Sequence, residues 1–285
     1  MQGFSNDPEL AALMAWYLEA GVDETIGDAP LDRYEQAASS AGIAESATRS
    51  DDRAGAASEA GAHPGRPAPA PPPIETPSHV RRPPVAAAVT AAADARTVDE
   101  LRAILAAFDG CALSKTATNL VFADGSPSAR VVLIGEAPGS EEDRRGLPFV
   151  GPSGQLLDRM LASIGLSRAD VFISNTVFWR PPGNRSPSSG EVAVCMPFVE
   201  RMIELIDPAI VVALGGPAAN ALFGRAESIG RLRGRWLTYQ TPRLPRPVAG
   251  TALFHPAYLL RTPGQKRLAW RDLLALRAKL DDLAG

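Results

Sequence analysis

The sequence predicts an α/β/α sandwich: a central four-stranded, mainly parallel sheet covered by helices, preceded by a disordered leader. Three observations carry this. Apolar runs of strand length alternate with helix-period patterns from Thr97 onward, the signature of a parallel sheet with both faces covered. The runs are apolar at consecutive positions rather than alternate ones, as strands buried on both faces require. Each run ends in glycine, proline or polar residues, and open sheets of this kind bind ligands beyond their strand carboxyl ends.

Taken in order, residues 7–20 (DPELAALMAWYLEA) place Leu10, Leu13, Met14, Tyr17 and Leu18 at helical spacing, with Asn6 or Asp7 as cap and Gly21 as stop. Residues 1–35 therefore read as an amphipathic helix segment suited to a protein partner. Residues 36–95 are rich in Ala, Ser and Pro, with nine prolines from Pro64 to Pro84, and read as a flexible linker. The folded domain is expected over 96–285. It opens with the amphipathic helix VDELRAILAAF, then runs through strands ARVVLIG (129–135), DVFISNTVF (170–178), AIVVALGG (209–216) and GTALFHP (250–256). Helical patterns fall at 154–164, 190–206, 217–222 and 265–283.

Composition narrows the function classes. The net charge of −3 hides an acidic leader, −8 over residues 1–95, joined to a basic domain, +5 over 96–285. A basic domain is compatible with a polyanionic partner. No run reaches the ~18 apolar residues of a membrane span, and the start lacks the pattern of a secretory signal. The expectation is a cytoplasmic protein with no membrane contact and a monomeric state. Two cysteines, Cys111 and Cys195, cannot build a disulfide framework or ligate a four-cysteine cluster by themselves.

The chemistry-bearing residues sit at the strand ends. Gly135-Glu136-Ala137-Pro138-Gly139 follows the first strand, where glycine lets backbone approach a ligand and Glu136 stands at the sheet edge. In Leu147–Gly154 an aromatic lies between prolines and glycines, so Phe149 can stack on a flat heterocycle or plug the core. Gly151, Ser153 and Gly154 at a helix start suit a phosphate. Asn175 ends a strand with one acceptor and two donors, suited to a base edge or to bracing a loop. His255 is the one histidine outside the leader, since His63 and His79 lie in the linker. Trp179–Arg185 is a basic, proline-stiffened loop in which Arg180 and Arg185 can meet phosphates.

In this order and spacing GEAPGSEED, LPFVGPSGQLLD, SNTVFWRPPGNRSP, LGGPAA and HPAYLL resemble the family 4 uracil-DNA glycosylases, over about 108–272. The resemblance implies a DNA-repair hydrolase that cleaves the N-glycosidic bond of uracil in DNA. It implies that Phe149 stacks on the flipped base, Asn175 reads its O4 and N3–H, and His255 stabilises the departing anion at O2. Glu136 would position water or stabilise the cationic sugar, Ala137 would contribute backbone, and Glu142 would lie beside the pocket. Ser153, Arg180, Arg185, Gly216, Leu259 and Arg261 would meet the DNA.

The resemblance also implies a [4Fe–4S] cluster on four cysteines, but the matching positions are Phe108, Cys111, Trp179 and Cys195. Two thiolates do not complete such a cluster, so its loss to an apolar plug is expected, with no other metal. A related subgroup traps uracil-DNA covalently through a histidine in an inserted basic loop, and the loop after Asn175 contains none. An alternative from another class is a catalytically weak adaptor for uracil or abasic sites, recruiting a partner through its N-terminal segment. A nucleotide-binding or thioester-type enzyme would need a P-loop lysine or a Gly-x-Ser-x-Gly elbow, and GEAPG is neither.

Overall fold

The computed structural model describes residues 84–283, so the N-terminal helix expected at 7–20 lies outside the described residues. Six strands form one sheet: β1 (Asp124–Gly125), β2 (Val131–Gly135), β3 (Val171–Asn175), β4 (Ile210–Leu214), β5 (Leu237–Tyr239) and β6 (Val248–Leu253). Their spatial order is β1-β3-β2-β4-β6-β5. The four expected strands are the central parallel ones, β3-β2-β4-β6. The expected four-stranded sheet is extended at each edge by a short antiparallel strand, β1 on β3 and β5 on β6. Two and three residues are too few to make a periodic pattern in sequence.

The central strands form because Val131–Ile134, Val171–Ile173 and Ile210–Leu214 are β-branched or apolar at every position and buried on both faces. One face carries α1 (Pro84–Asp94), α2 (Val98–Ala107), α5 (Ser189–Ile206) and α6 (Gly216–Phe223). The other is covered by α4 (Pro152–Ala162) and α9 (Lys266–Asp282). The short helices α3 (Ser140–Arg145), α7 (Ile229–Leu232) and α8 (Pro256–Arg261) lie in the connections. Leu157 and Leu161 of α4 and Leu273 and Leu276 of α9 are buried in the second layer, each worth about 1.5–3 kcal/mol of transfer free energy.

The domain boundary expected at 96 moves toward the N-terminus. Pro84–Asp94 is a helix, and Ala88, Ala92 and Ala95 are buried in the same apolar cluster as Val199, Met202 and Ile203 of α5. Arg201 donates two hydrogen bonds, at 3.0 and 2.8 Å, to the carbonyl of Ala95. The alanines that read as linker composition are the small side chains that let this helix fit closely onto α5. Residues 36–83 of the expected linker lie outside the described residues.

Strand order reverses at β2, whose chain neighbour β3 lies on one side and β4 on the other. Such a reversal opens a crevice at the carboxyl ends of the strands. Gly135 at the end of β2 pairs with Asn175 at the end of β3, and the residues following β4 and β6 are Gly215 and Phe254-His255.

Candidate active site

Two adjoining cavities lie at this edge. The inner one, about 190 Å³, is lined by Ala137, Glu142, Phe149, Ser153, Asn175 and His255. The outer cleft, about 450 Å³, is lined among others by Glu136, Arg185, Gly216, Tyr258 and Arg261, and shares Ala137 and His255 with the first. Residues from five separate stretches of chain, expected to cluster on the strand-end pattern alone, thus stand together.

Asn175 is 1% exposed, and its amide nitrogen has no hydrogen-bond partner among the described residues. A buried donor without a partner is rare in a folded protein and points to an acceptor from outside. Beside it Gly135 has no room for a side chain. A Cβ there would stand 2.5 Å from the Asn175 Oδ1 and 2.6 Å from the Phe149 Cζ. The missing methyl lets the phenyl ring and the amide approach the same point from two sides.

Phe149 is 5% exposed, and its ring belongs both to the apolar cluster beneath the sheet and to the cavity wall. The two readings of this aromatic, core plug and stacking face, are therefore not exclusive. Its φ is +54°, in the left-handed region that a bulky residue rarely occupies. Its ring centroid lies 5.6 Å from that of His255, with the planes inclined at 31°.

His255 caps α8: its Nδ1 accepts from the Ala257 N–H at 3.1 Å. A ring nitrogen that accepts carries no proton, so the neutral imidazole keeps its proton on Nε2. Burial, and secondarily the positive charge of Arg261, pull its pKa from 6.5 down to about 4, against a smaller opposing pull from Glu142. The histidine is thus a neutral donor across the ordinary pH range.

Other candidates stand differently from expectation. Glu142 faces the inner cavity, but one carboxylate oxygen accepts from the Val150 and Gly151 N–H groups, each at 3.0 Å. The other accepts from Gly139 at 3.1 Å. Its role here is to tie the GEAPG turn to the Phe149 loop. Arg185 makes two hydrogen bonds to the carboxylate of Glu191, at 2.9 and 2.7 Å. That arginine holds Glu191 down to about 2, so both charges are already matched within the protein. Arg180 bonds the Asn184 side chain at 2.7 Å, stiffening the same loop.

Leu259, expected to meet DNA, is 1% exposed and packs in the core, while its neighbour Leu260 is 39% exposed and Arg261 is exposed too. The turn of α8 sets the two leucines about 100° apart, one inward and one outward, a phase that a six-residue helix does not advertise in sequence. Ser153 lines the inner cavity near the start of α4, and Gly216 the outer cleft at the start of α6. Tyr258, in the cleft wall, escaped the sequence reading although it lies within HPAYLL.

Of the four positions matching cluster cysteines, Cys111, Trp179 and Cys195 are buried in one large apolar cluster and Phe108 packs against it. The Cys195 thiol donates to Cys111 with sulfurs 3.9 Å apart, and that bond together with burial pushes Cys195 well up. Phe108 packs on Phe198 with centroids at 5.1 Å, and Trp179 meets Phe178 edge-on at 6.3 Å. Two thiols, a phenyl and an indole do not fit the four ligands of a [4Fe–4S] cluster. Among the described residues no group of three or more His, Cys, Asp and Glu could hold a metal ion.

The strand ends and the loop carrying Phe149 thus bring an unpartnered amide, a phenyl face and a neutral imidazole to one pocket. The family model for the uracil DNA glycosylase superfamily covers residues 122–274, and the chain belongs to that superfamily. Type-4 enzymes are among the relatives this chain resembles. The type-4 uracil-DNA glycosylase of Archaeoglobus fulgidus is 43% identical over 157 residues, covering 54% of this chain and 78% of the relative. That of Saccharolobus solfataricus is 40% identical over 175 residues, 60% and 80% of the two chains. That of Pyrobaculum aerophilum is 38% identical over 180 residues, 62% and 91%.

Proposed function

We propose that this chain is a monofunctional uracil-DNA glycosylase of the type-4 kind, hydrolysing the bond between uracil and deoxyribose in DNA to leave free uracil and an abasic site. The observation that carries the reading is the buried Asn175 amide without a partner, in a pocket that also presents Phe149 and the Nε2–H of His255. Membership of the superfamily and the names of the type-4 relatives support it.

The roles follow from charge. The target nucleotide leaves the helix stack, since its glycosidic bond cannot be reached inside a duplex. Uracil enters the inner pocket and stacks on Phe149, a contact worth about 1–3 kcal/mol. The Asn175 amide donates to O4 and accepts from N3–H, selecting uracil. As the C1′–N1 bond lengthens, negative charge gathers on the base and positive charge on the sugar. The Nε2–H of His255 donates to O2 and stabilises the departing anion without transferring its own proton. Glu136, in the outer cleft, faces the cationic sugar and holds the attacking water. Water supplies hydroxyl to C1′, and its proton neutralises the anion in solvent or on the way out. Donors placed where charge develops, in a site closed to bulk water, are commonly the largest single contribution to such catalysis.

DNA lies along the outer cleft, with Arg261, Arg180 and Gly216 beside its backbone and Ser153 facing the flipped nucleotide at the inner cavity, on a monomer acting in the cytoplasm at the nucleoid. Among the described residues no helix is long and apolar enough to cross a membrane. The N-terminal segment, outside the described residues, is proposed to serve a protein partner. The adaptor alternative is not favoured, because it has no use for a donor held neutral at the base pocket. Incubating the full chain with a uracil-containing oligonucleotide and then with alkali should cut the strand at the uracil and leave a uracil-free control intact. An uncut uracil strand at high enzyme excess would sink the assignment.

The set Phe108, Cys111, Trp179 and Cys195 is proposed to have replaced the cluster of the family. Freshly purified, anaerobically handled protein should carry far less than one equivalent of iron and acid-labile sulfide per chain. Stoichiometric amounts of both would overturn the replacement.

A further inference from the structure

Phe149 occupies a left-handed conformation that its own side chain disfavours, so neighbouring groups must hold it there. The peptide group following it is gripped from two sides. Glu142 takes the N–H groups of Val150 and Gly151. On the opposite side the Arg168 guanidinium donates through one terminal nitrogen to the Phe149 carbonyl, and through the other to the Pro148 carbonyl at 3.2 Å. A Cβ at Gly154 would stand 1.6 Å from the Phe149 carbonyl oxygen, so α4 closes tightly over the same peptide. Arg168 is itself fixed. Its Nε donates to Asp158 of α4 at 2.7 Å and a terminal nitrogen to Asp124 of β1 at 2.7 Å. It stands in the short 3₁₀ turn Arg168–Asp170 that feeds β3, the strand that ends in Asn175. It lines neither cavity.

We propose that Arg168 is a positioning residue for base capture: oriented by Asp158 and Asp124, its guanidinium fixes the Phe149 carbonyl and so turns the phenyl ring across the inner pocket. The proposal rests on reading Phe149 as the face that stacks on the base. A planar fork with five donors can serve two carbonyls and two carboxylates at once, which an ammonium cannot. The ring and the amide that meet the base are thereby referenced to one strand.

The test is a double-mutant cycle on the full-length protein, read as the maximal single-turnover rate on a uracil oligonucleotide, alongside affinity for abasic-site DNA. Arg168→Met should lower the maximal rate by about 10–100-fold, the effect of a small displacement at a reacting group, with abasic-site affinity unchanged. Arg168→Lys should recover part of the loss. In the Phe149→Ala background Arg168→Met should cost almost nothing more, because the group it positions is gone. A wild-type rate for Arg168→Met, or an equal loss with and without Phe149, would overturn the proposal while leaving the stacking reading intact. A wild-type rate for Phe149→Ala would instead remove the stacking reading and the proposal with it. Should Arg168→Met melt below the assay temperature, Arg168→Lys is carried through the same cycle and judged by the same coupling.

Discussion

His255→Ala should slow single-turnover excision of uracil by about 10²–10³-fold, the cost of roughly 2.7–4 kcal/mol seen when one donor to a developing anion is removed. Binding of abasic-site DNA should change far less. His255→Gln keeps an N–H at the end of the side chain and should lose less. The imidazole is already neutral because burial pulls its pKa to about 4. The maximal rate of the native protein should therefore show no His255 inflection near 6.5 and should fall as pH drops through about 4. Below that value Nδ1 gains a proton and can no longer accept from Ala257. The sign for stability follows from the same shift. The unfolded chain takes up this proton near 6.5 and the folded one only near 4, so the unfolded state binds more protons between the two. The contribution of His255 is complete above 6.5 and is lost as pH falls toward 4, a change on the order of 3 kcal/mol. If Ala and Gln variants both fold and both retain native rates, His255 takes no part in departure of the base.

Asn175→Asp should lower uracil excision on the order of 10³-fold. The substitution replaces the buried amide donor by an oxygen facing O4 of the base. It also places a charge where the side chain is 1% exposed. An ionised carboxylate there is both desolvated and opposed to an acceptor, a larger loss than the ~1–3 kcal/mol of one unmatched neutral group. Burial raises a carboxyl's pKa, so excision should recover in part on acidification, when the protonated group can again donate. The same carboxylate can accept from the N4 amino group of cytosine, and slow release of cytosine should become measurable. Paired time courses on uracil and cytosine oligonucleotides read both effects. Unchanged uracil excision would reduce Asn175 to a brace for its loop.

Much of this site was legible because parallel strands announce themselves. Val131–Gly135, Val171–Asn175 and Ile210–Leu214 are unbroken apolar runs, and their ends gather at one edge by topology alone. Glu136, Asn175 and His255 could be brought together on that basis, and Phe149 only as an aromatic on a nearby loop. What remained hidden depends on partners distant in sequence. Arg168 reaches back 19 residues to the Phe149 carbonyl, and no local pattern marks such a contact. Arg185 read as a free cation because Glu191, which neutralises it, belongs to the capping of the next helix. Leu259 and Leu260 differ only in helical phase. Pro84–Asp94 was masked by composition: alanine beside a proline-rich stretch looks like spacer, yet small side chains are what a closely packed helix pair needs.

The apolar cluster that takes in Phe108, Trp179 and the two thiols bears on how the molecule comes to be ready for work. Contacts between rings form as the chain collapses and need no delivered component. If these residues stand in place of the family's cluster, as proposed, this part of the molecule matures in the act of folding, with no insertion step.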